Sequence, residues 1–374
     1  MSRVANDSPS RTDSPTADAA AADGTASALP GSTVGSSTVG GPGQPGKRSR
    51  RSSDGLVTPK ASSDFLQKYA LVGILAVLLL LCVAFIPEFR SPRLYVSMIN
   101  GQSILLLLAL VATIVLRIGE FDLSIPQVMV GSAAIIAVMS QAGVPPVVAI
   151  LTALALGLVV GIVNGVLVVV VGVGSFVTTL GTFTALAGFA YLITNSRVVT
   201  GVPEFFVDIS RTPFLGMPSI TWYAWVLVAV LWFIYQRTPL GRYMIFVGGN
   251  INAARLAGLR VRAIRIGAFV IAGFLGSVVG ILFSGYLGAI DPSVGSQFML
   301  QPIAAAFLGA TAIAVGRFNA IGTIVALYTL TVGITALQVL GAQTWVSNTF
   351  YGLALIGAVT AAKLVSSRKK KVAL

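Results

Sequence analysis

The chain has 374 residues, 55% of them hydrophobic and only 10% charged, which excludes a water-soluble domain and points to a polytopic membrane protein. Its net charge of +13 forms no aromatic-interleaved basic face, so it reports membrane topology rather than nucleic-acid binding. The absence of histidine removes imidazole metal sites, Ser-His-Asp triads and histidine bases together, and the single cysteine, Cys82, cannot form an intrachain disulfide.

Residues 1–64 are poor in large apolar side chains and rich in Ser, Gly, Ala, Pro and Thr. Such a segment cannot bury enough surface to fold, so a disordered cytoplasmic tail, dispensable for the rest, is expected. The cluster Lys47-Arg48-Ser49-Arg50-Arg51 precedes the first apolar run and should hold this end in the cytoplasm. No apolar run precedes residue 69, and Asp7, Asp13, Asp18 and Asp23 are scattered through the segment, so it does not read as a signal peptide.

Residues 65–374 read as one transmembrane domain. At roughly 20 residues per span, about ten helices are predicted. They fall near 69–86, 101–118, 124–140, 146–171, 175–194, 220–236, 264–286, 298–314, 319–340 and 344–364. The fold class is therefore all-α, a polytopic helix bundle. An even number of spans puts both termini on one side, and the charges agree. Segments assigned outside hold Arg90, Arg93, Arg197 and Arg211, matched by Glu88, Glu204, Asp208 and Asp291. Segments assigned inside hold Arg117, six arginines in 237–265, Arg317, Lys363 and the terminal Arg368-Lys369-Lys370-Lys371, against Glu120 and Asp122 alone.

Small residues recur at four-residue spacing, in Gly157, Gly161 and Gly165, in Gly273 and Ser277, and in Gly276 and Gly280. Such rows let helix backbones approach closely in lipid. Two stretches interrupt the apolar runs, at 117–126 and 173–176. Irregular backbone at membrane depth survives only buried in protein or lining a cavity.

The segment 237–265 carries no acid and is longer than a connection between two spans requires. Its middle predicts a short helix over 251–257. Asn250 suits the N-cap, Arg255 lies late, where a cation suits the helix dipole, and Gly258 can end the helix in the left-handed region. Gly248 and Gly249 read as a flexible lead-in. Two turns of helix are too short to be stable alone. The small face of Ala253, Ala254 and Ala257 could press into a groove of another protein. A basic loop that only sets topology is the alternative.

Glu120 and Asp122 are the only acids at or near membrane depth. They read either as part of a gate or ion site, or structurally, with Asp122 accepting backbone N–H bonds at the start of the third span. No Walker A sequence, HExxH, CxxC or Gly-x-Ser-x-Gly elbow occurs, so no catalytic, metal or cofactor residue is expected in this chain. The glycine-rich run 309–323 lacks the P-loop lysine and reads as a turn between two spans. Energy for uphill work must come from an ion gradient or another subunit.

Six pieces, in order, carry a resemblance. They are Gly119-Glu120-Phe121-Asp122-Leu123-Ser124, Gly161-Ile162-Val163-Asn164-Gly165, and Phe176-Val177-Thr178-Thr179-Leu180-Gly181-Thr182. Then come Thr238-Pro239-Leu240-Gly241-Arg242, Gly248-Gly249-Asn250 with Ala253-Ala254-Arg255-Leu256-Ala257-Gly258, and the run 309–323. Over about 70–365 the chain resembles the permease subunit of ribose-type ABC importers, in the binding-protein-dependent transport family. Glu120-Phe121 and Ile125-Pro126 stand where that family more often has Gly-Ile and Val-Gly.

The resemblance implies a permease in the bacterial inner membrane, with both termini cytoplasmic, that pairs with a second copy or a close paralogue. It implies two ABC ATP-binding domains on the cytoplasmic face, which bind the ATP and Mg, and an extracytoplasmic sugar-binding protein that delivers the ligand. The coupling helix at 250–258 would insert into the ATPase, with Gly248, Gly249, Asn250, Ala253, Ala254, Arg255, Leu256 and Gly258 as coupling residues. Candidates for the translocation path or gate are Asn164, Phe176, Thr178, Thr179, Thr182 and Asp122, the threonines bonding their own helix carbonyls being the alternative. The implied substrate is a monosaccharide, a pentose or hexose. Nucleosides, autoinducer-type furanoses and branched-chain amino acids use related permeases. The rivals are an ion-coupled secondary transporter using Glu120 or Asp122, and a membrane-embedded scaffold or receptor.

Overall fold

The computed structural model describes residues 61–372 except 344, with side chains over 68–343 and 345–360. The expected tail up to residue 60 lies outside these residues. The chain begins with α1 (Ala61–Phe85), α2 (Pro92–Gly101) and α3 (Ser103–Arg117), then α4 (Ile125–Gln141), α5 (Pro146–Val166) and α6 (Ser175–Ile193). The short α7 (Glu204–Arg211) leads to α8 (Ser219–Arg237), and α9 (Pro239–Gly249) and α10 (Ile251–Leu256) lead to the long α11 (Val261–Leu287). The chain continues through α12 (Gln301–Gly309), α13 (Ala320–Val339) and α14 (Trp345–Val372). Each of the ten expected spans overlaps one of these helices. Among the described residues, six helices are long and apolar enough to cross a membrane, and α2 with α3, bent by 46° at the break, is long and apolar enough when the pair is taken together.

The centre of the bundle is α11, and its small residues explain why. A Cβ on Gly157 or Gly161 of α5 would overlap the α11 backbone at Gly273 and at Phe269–Val270. On another face, a Cβ on Gly280 would overlap Met129 and Ser132 of α4. Near the end of α11, Gly285 lies against Phe206 of α7. The glycine rows are thus the tight packing surfaces expected of them, because lipid offers helices little hydrophobic drive and close backbone approach supplies the attraction instead.

The helices sort the charged segments to two ends. At one end α7 is pinned to α11 by Ser210 donating to Leu282 O (2.9 Å) and Arg211 to Tyr286 O (2.8 Å). The two-residue strands β1 (Val199–Thr200) and β2 (Ala289–Ile290) pair antiparallel there, and Gln141 donates to Thr200 O at 2.9 Å. At the other, basic end, Arg117 donates to Phe318 O and Arg265 meets Glu120. Ile313 N there donates to Lys68 O at 2.9 Å.

One span differs from expectation. The helix predicted over 298–314 is nine residues, Gln301–Gly309. Asn319 explains the stop. Its Nδ2 donates to Gly309 O (3.3 Å), Ala312 O (3.2 Å) and Arg317 O (3.0 Å), while its Oδ1 accepts from Gly322 N (2.7 Å) as the cap of α13. One side chain therefore closes one helix, shapes the turn and opens the next.

Candidate functional site

The segment 237–265 is not a loop but a helical module. Thr238 caps α9, its hydroxyl accepting from Gly241 N at 3.4 Å, and Pro239 follows at the first helical position. Asn250 then caps α10 as expected, its Oδ1 accepting from Asn252 N and Ala253 N, both at 3.0 Å. Gly258, at φ +77°, turns the chain out of α10 in the left-handed region.

Three expectations about this module change. Gly248 and Gly249 end α9 rather than forming a flexible lead-in. Gly248 is a packing residue, because a Cβ there would lie 2.5 Å from Arg117 O. Ala254, expected on the partner-facing side, is fully buried against Val247 and Val261, and Ala253 is half-buried. The outward side of α10 is Asn252, Arg255, Leu256 and Ala257, with Leu256 92% exposed.

Beside the module lies the break between α3 and α4. Gly119, at φ +84°, ends α3, and the chain runs irregularly to Ser124. Asp122 closes the turn, its Oδ1 accepting from Ser124 N (2.9 Å) and Ser124 Oγ (2.6 Å). Ser124 Oγ in turn accepts from Asn164 Nδ2 of α5 at 2.9 Å, and Asn164 Oδ1 accepts from Thr182 of α6 at 2.6 Å. Two further bonds fasten the break to α6, from Phe121 N to Ser175 Oγ (3.2 Å) and from Leu123 N to Thr179 Oγ1 (3.1 Å). Phe121 stacks on Phe307 of α12, with ring centroids 5.9 Å apart.

The sequence-expected path residues therefore fall into two groups. Asp122, Asn164 and Thr182 form one connected polar network through Ser124, which the spacing in sequence does not reveal, and Thr179 holds the same break through Leu123 N. Thr179 and Thr182 also donate to their own helix carbonyls, at Ser175 O (2.8 Å) and Thr178 O (3.0 Å), as the structural reading of these threonines expects. Thr178 is buried with its hydroxyl unpartnered, and Phe176 stands apart at the surface, 54% exposed.

Two residues the sequence did not mark complete the site. Arg117, buried at the end of α3, lies 4.1 Å from the centroid of the Tyr235 ring. It donates to Phe318 O, to Tyr235 O (3.3 Å) and to Gly241 O (3.4 Å), and so gathers α3, α8, α9 and the turn before α13. The signal available was an arginine at the end of an otherwise unbroken apolar run. Arg265, one turn into α11, forms a salt bridge with Glu120 in the α3–α4 break.

Residues 94–359 match the family described as branched-chain amino acid transport system / permease component. The chain is 31% identical over 287 residues to the autoinducer 2 import system permease protein LsrC of Salmonella paratyphi B, covering 75% of this chain and 83% of that one. It is 29% identical over 287 residues to the ribose import permease protein RbsC of Haemophilus influenzae, covering 76% and 89%. To LsrC of Escherichia coli O157:H7 it is 31% identical over 288 residues, covering 76% and 84%. No solved structure matches the chain.

Proposed function

This chain belongs to the branched-chain amino acid transport system / permease component family, and from that premise we propose that it is the membrane subunit of an ATP-driven ABC importer for a monosaccharide. The observation that carries the reading is α10: a capped, outward-facing turn with an exposed leucine, at the basic end and joined through residues 257–260 to the helix at the centre of the bundle. The ribose and autoinducer 2 importers among its relatives support a pentose, a hexose or a furanose of that size as the cargo.

In this reading the basic end faces the cytoplasm, following the excess of arginine there. The ATPase subunit, which holds ATP and Mg, docks on Asn252, Arg255 and Leu256, and its closure moves α10. A second copy or a paralogue completes the path, and a sugar-binding protein delivers cargo at the opposite end. The network from Asp122 to Thr182 holds the gate between α4, α5 and α6. In proteoliposomes containing the chain, its ATPase and its binding protein, labelled D-ribose should accumulate with ATP and be competed by related furanoses but not by leucine. Competition by leucine and not by sugars would move the assignment to amino acids.

A further inference from the structure

Among the described residues there is one salt bridge, between Arg265 and Glu120, and it joins the coupling module to the gate network. Each of the two side chains is 12% exposed. Arg265 sits one turn into α11, nine residues after α10 ends at Leu256, and the linker 257–260 with its left-handed Gly258 joins the two helices. Glu120 sits in the α3–α4 break, next to Gly119 and to Phe121, which is itself held by Ser175 and Phe307. The pair thus bridges a point that α10 can move to a point where the backbone can yield.

The module also meets the end of α3 directly, Gly248 sterically against Arg117–Gly119 and Gly241 O through the Arg117 guanidinium at 3.4 Å. The Arg265–Glu120 pair is the charged contact that reaches the break itself. Between α8–α9 and α11 lies an apolar groove of about 490 Å³, lined by Tyr243, Leu259, Ala263 and Gly267 among others. The Arg265 guanidinium has no second acid, and its Nε is buried without a partner. An ion pair largely shielded from water resists separation far more than an exposed one, because either charge left alone is poorly solvated.

Building on the importer reading above, we propose that Glu120 and Arg265 are positioning residues that transmit displacement of α10 to the α3–α4 break. When the ATPase moves α10, Arg265 carries Glu120 with it. The bonds from Phe121 and Leu123 to α6 then exchange, and the network through Ser124, Asn164 and Thr182 rearranges.

The test compares the wild type, Glu120→Gln, Arg265→Gln and the exchange of Glu120→Arg with Arg265→Glu, each as the full chain reconstituted with its ATPase and binding protein. The readout is labelled D-ribose imported per ATP hydrolysed. The single variants should keep the ATPase bound and hydrolyse ATP within about twofold of wild type, while import per ATP falls about tenfold, the size of a typical inter-site coupling. The exchange should recover most of the loss. Three results overturn the proposal. They are an unchanged ratio in the single variants, uptake and hydrolysis falling together with the yield of complex, and an exchange that assembles yet stays uncoupled. Should the wild type hydrolyse ATP without importing ribose, the substrate reading fails separately. The pair is then read through maleimide labelling of Val173→Cys in a Cys82→Ser background. An ATP-dependent labelling rate that disappears with Glu120→Gln supports the proposal, and one that persists overturns it.

Discussion

Leu256 and Ala254 lie two positions apart on a six-residue helix, and they have opposite surroundings. Leu256 is 92% exposed and Ala254 is fully buried. Burying a leucine side chain is worth about 1.5–3 kcal/mol, so Leu256→Asp should weaken ATPase retention during co-purification by about tenfold or more, with membrane levels unchanged. Ala254→Trp should act differently. A ring has no room against Val247 and Val261, and overpacking costs about 1–3 kcal/mol, so folded protein should fall before docking is reached. Equal retention of the ATPase by Leu256→Asp and wild type would remove α10 from the docking surface. Asn164 illustrates how a buried network shares its load. Without its amide, Ser124 still donates to Asp122 and Thr182 still donates to Thr178 O. Interhelical hydrogen bonds in membranes average about 0.6 kcal/mol, so Asn164→Ala should lower the unfolding midpoint in detergent only slightly while changing transport. A collapse of the fold in this variant would mean that the network is structural glue.

Among the elements, α11 is the one whose neighbours are set by missing side chains. Gly273→Ala would drive a methyl into Gly157 O, whereas Gly267, five residues into the cavity-lining stretch of the same helix from Ala263 onward, has open space at its Cβ position. Gly273→Ala should therefore cost most of the monodisperse yield. Gly267→Ala should be neutral or stabilising, by up to about 1 kcal/mol of helix propensity. Thermal melts of the two variants in detergent check the contrast, and similar melts would deny that α11 packs by backbone contact. The elements were legible in sequence because apolar length, capping residues and four-residue glycine rows are local signals. Asn250 and Gly258 show this for α10. Thr238-Pro239 held an equally local N-cap signal for α9 that the expectation of a loop passed over. What sequence could not show is what depends on tertiary approach. Glu120 and Arg265 meet across 145 positions, and the burial of Ala254 follows only from the way α10 folds back on α9 and α11. The shortening of α12 belongs with these, since Asn319 acts from beyond the turn.

At the scale of the molecule, the helices collect the arginine-rich segments at one end and the charge-balanced ones at the other, which is the pattern of a membrane protein with its basic end in the cytoplasm. Single cysteines replacing Asn252 and Thr212, both exposed, in a Cys82→Ser background should label from opposite sides of the membrane. Labelling of both from outside in intact cells would contradict the topology. The same architecture divides labour. In the proposed function the chain contributes a path, a gate network and a docking turn, and draws energy from the subunit that moves α10. The most direct measurement is therefore labelled D-ribose uptake by proteoliposomes of the reconstituted complex, with ATP or an ion gradient as the only energy source, for wild type and Leu256→Asp. An ATP-driven importer coupled through α10 predicts uptake that requires ATP, ignores the gradient and is largely lost in Leu256→Asp. Uptake driven by the gradient alone, and indifferent to the Leu256→Asp change, would contradict it.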